Sequence, residues 1–196
     1  MTPVNGPGLE HQLIDEGARI LAEQGPAGLS LRKLAAAVGT STMAVYSRFG
    51  DKQGLLAAMN REGFRRLGER LQAAATGLNA DDALAALGRA YRLSALENPH
   101  LYGLMFGPPP LGWQRGAQDD QAADATYLPL VERVRAAVDD GILIGVPERI
   151  ARQLWVVAHG MVSLELAGQL RNTVEPPADA YDDALFCAVA PFLPVA

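Results

Sequence analysis

Residues 29–56 read Leu29-Ser30-Leu31-Arg32-Lys33-Leu34-Ala35-Ala36-Ala37-Val38-Gly39-Thr40-Ser41-Thr42-Met43-Ala44-Val45-Tyr46-Ser47-Arg48-Phe49-Gly50-Asp51-Lys52-Gln53-Gly54-Leu55-Leu56. Leu31, Leu34, Ala35 and Val38 recur at helical spacing, and Ser30 stands where a hydroxyl can accept from the open N–H groups of a first turn. Gly39 follows where a helix would close in the left-handed region. Thr40 or Ser41 can then cap a second short helix carrying Val45, Tyr46 and Phe49 on one side. Two short helices joined by a glycine turn have the geometry of a helix-turn-helix. The second helix presents Thr40, Ser41, Thr42, Met43, Ala44, Ser47 and Arg48, which are mostly small, hydroxylated or basic groups that fit a major groove. A purely structural helix more often carries Glu and Lys there.

Working outward, Leu13, Gly17, Ile20 and Leu21 share a face of a first helix over about Leu9 to Gln24, ended by Gly25-Pro26. After Asp51, a helix to about Ala75 buries Leu55, Leu56, Met59, Phe64, Leu67 and Leu71. Gly17, Ile20-Leu21, Gly28-Leu29-Ser30, Leu34-Ala35, Val38-Gly39, Val45-Tyr46, Phe49, Lys52 and Leu55-Leu56 together resemble the TetR family of bacterial one-component regulators, in register over residues 9–57. The resemblance implies that Thr42, Ala44, Tyr46 and Arg48 face operator DNA, that Tyr46 and Lys52 contact phosphates, and that Ser30 and Arg32 lie at the backbone-facing start of the second helix. Family members commonly have His or Tyr at position 48 and a small residue at 43, so Arg48 and Met43 are departures. A half-buried aromatic at Tyr46 and a solvated charge at Lys52 are the structural alternatives.

The remaining chain is read as helical throughout. Helices are expected from Asn79 past Leu96, over Pro99 to Gly107, over about 122–140, from Pro147 to about Leu170, and after Pro176-Pro177. Three consecutive prolines make 107–120 the only long loop. No convincing strand alternation occurs, so the fold class is all-α. The expected organisation is a tail over 1–8, a DNA-binding domain over 9–57 running into a linking helix to about 75, and an effector and dimerisation domain over 76–196.

In that last part Leu154-Trp155-Val156-Val157-Ala158-His159-Gly160, continued by Ser163-Leu164-Glu165, is similar to the Trp…His-Gly signature of one subgroup of TetR-type effector domains. Asn98-Pro99-His100-Leu101-Tyr102 resembles that subgroup's preceding segment. Phe64, Tyr91, Met105, Phe106, Trp113, Tyr127, Trp155 and His159 are the candidate lining of a pocket for a small apolar or aromatic effector. Ordinary core packing is the alternative for each of them. Homodimerisation in the family manner would place Ala158, Met161, Leu164, Ala167, Gly168, Leu185, Val189 and Phe192 in a four-helix bundle across a two-fold axis; a monomeric bundle with a thicker core is the alternative.

The formal charge of −5 is uneven: residues 1–71 carry nine Arg/Lys against seven Asp/Glu and residues 72–196 eight against fifteen, so only the N-terminal third suits a polyanion. Cys187 is the only cysteine, which forbids an internal disulfide and fits a reducing cytoplasm. The first eight residues lack a secretion signal, and the most apolar run, Leu154–Leu166, is broken by His159, Ser163 and Glu165, so no membrane span is expected. Three histidines without metal-ligand spacing, no glycine-rich phosphate loop and no workable nucleophilic triad argue against a metal site, a cofactor or an enzyme. A helical adaptor that does not bind DNA is the remaining rival.

Overall fold

Four of the helices begin at a residue whose side chain caps them. In the computed structural model, which describes residues 7–110, 112–170 and 176–194, Ser30 Oγ accepts from Lys33 N at 3.2 Å and Ser41 Oγ accepts from Ala44 N at 3.1 Å. Asp51 Oδ1 accepts from Gly54 N at 2.8 Å, and Asn79 Oδ1 from Asp82 N at 2.9 Å. Each cap satisfies an amide the helix itself leaves open, a contribution of roughly 1 kcal/mol. The resulting helices are α1 (Pro7–Gly28), α2 (Leu31–Val38), α3 (Thr42–Phe49), α4 (Lys52–Ala75), α5 (Ala80–Glu97), α6 (Pro99–Phe106), α7 (Ala117–Asp139), α8 (Pro147–Leu166) and α9 (Pro177–Val189), with a final 3-10 turn at Ala190–Phe192. No strand is found among the described residues, and the all-α reading stands.

Several boundaries differ from the sequence expectation. Residues 1–6 of the expected tail lie outside the described residues, while Pro7 and Gly8 open α1, which breaks at Gly25 (φ 67°, ψ −177°). α7 starts at Ala117, inside the stretch read as loop. Asp119 explains this: its Oδ2 accepts from Gly116 N at 2.9 Å and its Oδ1 from Arg61 at 3.0 Å, so the aspartates that look like loop residues build a first turn. α8 ends at Leu166 rather than near Leu170, because Gly168 (φ 66°) turns back and donates to Glu165 O.

The chain divides into two compact units. The first holds the residues up to Arg65 together with Asn98–Ala123, so α6 and the proline loop group with the helix-turn-helix rather than with the C-terminal part. Its core is Leu13, Ile20, Leu34, Val45, Leu55, Leu56 and Met59, all 1% exposed or less, each stabilising by roughly 1.5–3 kcal/mol on burial. At Gly39 (φ 74°, ψ 30°) the chain turns from α2 toward α3 in a conformation a side chain disfavours. Gly63 serves close approach instead, since a Cβ there would sit 2.5 Å from the sulfur of Met105 on α6.

The second unit holds Arg66–Glu97 and the residues from Asp124 onward. Val134, Ala137, Ile150 and Ala151 form its fully buried centre, with Leu84, Leu154, Val189 and Phe192 packed around it. α8 and α9 run antiparallel, since Gln153 Nε2 donates to Ala188 O at 3.1 Å and Ile144 N to Phe192 O at 2.7 Å. Tyr181, 1% exposed, donates to Gly88 O at 2.8 Å, and Arg92 forms a two-toothed ion pair with Glu165 at 2.6 and 2.8 Å.

Candidate nucleic-acid interface

α3 is short, and its two faces differ sharply. Val45 and Phe49 are buried at 0% and 9%. At about 100° per residue, Met43 and Ser47 project from the opposite side, with Tyr46 on one flank and Ala44 and Arg48 on the other. Met43 is 76% exposed and Tyr46 50%. Ser41 and Ser47 are exposed, while Thr40, Thr42, Ala44 and Arg48 are half-buried. No acidic residue lies within α2 or α3, so nothing on these helices repels a phosphate.

Several candidates have jobs within the fold. Ser30 and Ser41 spend their hydroxyls on caps. Thr40 N donates to Ala35 O at 2.9 Å, locking the turn. Ser47 Oγ and Arg48 Nη1 both reach Ala44 O, at 3.1 and 3.4 Å. Arg32 is exposed on α2. Lys52 Nζ donates to Pro26 O, which ties the first residue of α4 to the end of α1. An ammonium has three donors, so this tether still leaves capacity for a phosphate. Lys33 Nζ similarly donates to Gln24 Oε1.

The residues read as a pocket separate into two groups. Phe64, Met105, Phe106 and Trp113 belong to the first unit. There Phe64 packs edge-on to Phe106 at 5.5 Å, and Phe64, Met105 and Trp113 are 3–4% exposed. Asn60, fully buried on α4, donates weakly to Leu104 O at 3.5 Å, and its Oδ1 has no hydrogen-bond partner; the sequence alone gives no signal of that. Tyr91, Tyr127, Trp155 and His159 belong to the second unit. Trp155 meets Tyr127 edge-on at 5.9 Å and stacks on His159 at 5.8 Å, and Tyr91 Oη lies 3.2 Å from His159 Nδ1. Burial lowers the pKa of His159 and raises that of Tyr127, so both are neutral at pH 7.

On α8 and α9 the exposed large apolar residues are Val156 (55%), Leu164 (41%) and Phe186 (63%). Ala167 is exposed, and Met161 and Gly168 half-buried, on the same hairpin. Ala158 is buried at 7%, Val189 and Phe192 pack on the core of their own unit, and Leu185 lies against Gly88 of α5. The exposed stripe runs Arg149, Arg152, Val156, Leu164 and Ala167, with the half-buried Gly160 in line with them. It is rotated by about one residue from the face expected to meet a partner, and the i, i+4 spacing of Arg152, Val156, Gly160 and Leu164 is the signal that could have found it. Among the described residues no group of three or more His, Cys, Asp or Glu side chains can hold a metal, and no helix is long and apolar enough to cross a membrane.

Two family models match the chain: "Bacterial regulatory proteins, tetR family" over residues 13–59 and "Tetracyclin repressor-like, C-terminal domain" over residues 84–187. The chain is 30% identical over 141 residues to the HTH-type transcriptional regulator Rv1816 of Mycobacterium tuberculosis, an alignment covering 70% of this chain and 57% of that protein. It therefore spans little more than half the length of that curated relative. It is 42% identical over 64 residues to the HTH-type transcriptional repressor AcnR of Corynebacterium glutamicum, covering 32% of this chain and 34% of the repressor. A solved structure of a protein of unknown function from Rhodococcus sp. RHA1 superposes with a TM-score of 0.82 at 29% identity, covering 99% of this chain and all of that one (100%).

Proposed function

The chain belongs to the TetR family of bacterial transcriptional regulators, and on that premise we propose that it is a homodimeric repressor whose grip on a palindromic operator is released by a small apolar or aromatic effector. One observation carries the DNA-binding part: the outer face of α3 is exposed, lacks acidic groups and is held rigidly by a cap at Ser41 and by Val45 and Phe49 underneath. The small excess of positive charge over residues 1–71, nine Arg/Lys against seven Asp/Glu, makes a single copy a weak binder. Two copies, each placing α3 in one major groove about one helical turn (~34 Å) apart, supply the affinity and explain why the operator would be an inverted repeat.

The dimer reading rests on the α8–α9 face. Val156, Leu164 and Phe186 would otherwise stand in water. Arg149 and Arg152 mark one end of that face and Asp179 and Asp183 the other, all exposed. In an antiparallel hairpin, a two-fold axis across the face sets each basic end on the partner's acidic end. Effector binding is assigned to the aromatic sets described above, with α4, which contributes to both units, as the carrier of the signal. The effector works by binding the DNA-incompetent arrangement better, by ~1–3 kcal/mol for a several-fold to hundred-fold effect. Such a protein acts where the chromosome is, in the cytoplasm, and needs neither cofactor nor catalytic chemistry.

The test is selection of duplexes from a random DNA pool by the purified full chain. Recovery of an inverted repeat with half-sites about one turn apart is the expected result. A pool that stays random through the rounds would leave a helical adaptor as the better reading.

A further inference from the structure

Among the described residues Met43 is the most exposed large apolar side chain, at 76%. Its place is at the centre of the face of α3 that points away from Val45 and Phe49, in the helix's first turn. Its neighbour on that face is the small Ser47, which leaves it standing proud of the surface, while Tyr46 occupies one flank and the small, half-buried Ala44 the other. If α3 enters a major groove by this face, Met43 is the group that reaches furthest toward the base edges.

A thioether chain offers no hydrogen-bond donor and only a weak acceptor. It gains nothing from N7, O6 or an exocyclic amino group, and it would strip water from any of them without replacing the bond. The one apolar feature on the major-groove edge of any base pair is the 5-methyl group of thymine. Its unbranched, rotatable chain suits such a contact, since it can settle against a methyl without demanding one geometry.

We propose that Met43 selects a thymine in each operator half-site through contact with its 5-methyl group. The inference rests on the DNA-binding reading and adds a base preference to it. Met43 then explains one position of the operator by a property that neither Thr42 nor Arg48 has, because each of those offers polar groups.

The experiment takes an operator duplex selected by the wild-type chain and replaces its thymines one at a time with uracil, which removes the methyl and nothing else. Affinities are measured for the wild type, Met43→Ala and Met43→Leu. One position per half-site should show about a fourfold loss on uracil substitution, the worth of one buried methyl at about 0.8 kcal/mol, and about fifteenfold when both half-sites are changed. Met43→Ala should bind the thymine operator more weakly by a similar factor and be indifferent to uracil, while Met43→Leu should keep most of the discrimination. A wild type indifferent to uracil at every position overturns the proposal while leaving DNA binding intact. So does a uracil effect that survives unchanged in Met43→Ala, since another residue then reads the methyl. Failure to select any duplex would instead count against the DNA-binding reading itself.

Discussion

Phe186→Glu should convert the protein to a monomer. A phenylalanine presents roughly 200 Å² of surface, so at 63% exposure Phe186 offers on the order of 120 Å² to a partner. At about 25 cal/mol per Å² that is roughly 3 kcal/mol per copy, and two copies across a two-fold axis double it. Partial coverage in the interface reduces the figure, and half coverage still leaves about 3 kcal/mol, or a hundredfold in the dissociation constant. A carboxylate in the same place adds a desolvation penalty on both sides. Sedimentation velocity across the micromolar range reads the result, with far-UV circular dichroism as the check on folding. Leu128→Glu is the control, because Leu128 on α7 is 55% exposed and lies off the α8–α9 face. If Phe186→Glu sediments as a dimer with the wild-type dissociation constant, or if Leu128→Glu dissociates equally, the interface is elsewhere.

Three further outcomes are expected. Lys52→Ala should weaken binding to all DNA sequences alike and flatten the log–log salt dependence by about one unit, with a lower melting temperature from loss of the Pro26 tether; a changed base preference in the selected sites would refute the phosphate role. Arg92→Met should cost about 2–3 kcal/mol in chemical denaturation, because it leaves Glu165 at 15% exposure without its two-toothed partner, whereas Arg92→Met with Glu165→Leu should recover part of the loss; equal losses would show that the pair is not coupled. The lowered pKa of His159 means that the unfolded chain binds a proton more readily, so its contribution to stability is complete above about 6.5, the ordinary histidine value, and is lost as pH falls toward the folded value. His159→Gln should flatten the stability profile between pH 7.5 and 5.5, and an unchanged slope would remove His159 as the source.

The local structure of the DNA-binding module was legible because its signals are local. Ser30, Gly39, Ser41 and Asp51 act within four residues of themselves, so cap and turn chemistry placed α2, α3 and the start of α4 correctly. The start of α7 was hidden because it depends on Asp119 meeting Arg61, fifty-eight positions away in sequence. Grouping of α6 with the first unit was hidden for the same reason: Gly63 and Met105 fit together only once both helices are in place. Periodicity showed that α8 has two apolar sides but could not tell which one its own unit covers, and Ala158, Val189 and Phe192 turned inward. Asn60 gave no signal, since an asparagine in an amphipathic pattern reads as an exposed residue until its neighbours are known.

Sequence-specific binding by a pair of protomers is measured most directly by fluorescence anisotropy of a labelled, selected operator titrated with the full chain, beside a scrambled duplex at the same salt. Saturation at two protomers per operator is expected, with affinity at least ~10³ above the scrambled duplex and a steep loss as salt rises. Equal affinity for both duplexes, or no binding at low salt by a folded dimer, would contradict the assignment of α3 as a reader of operator DNA.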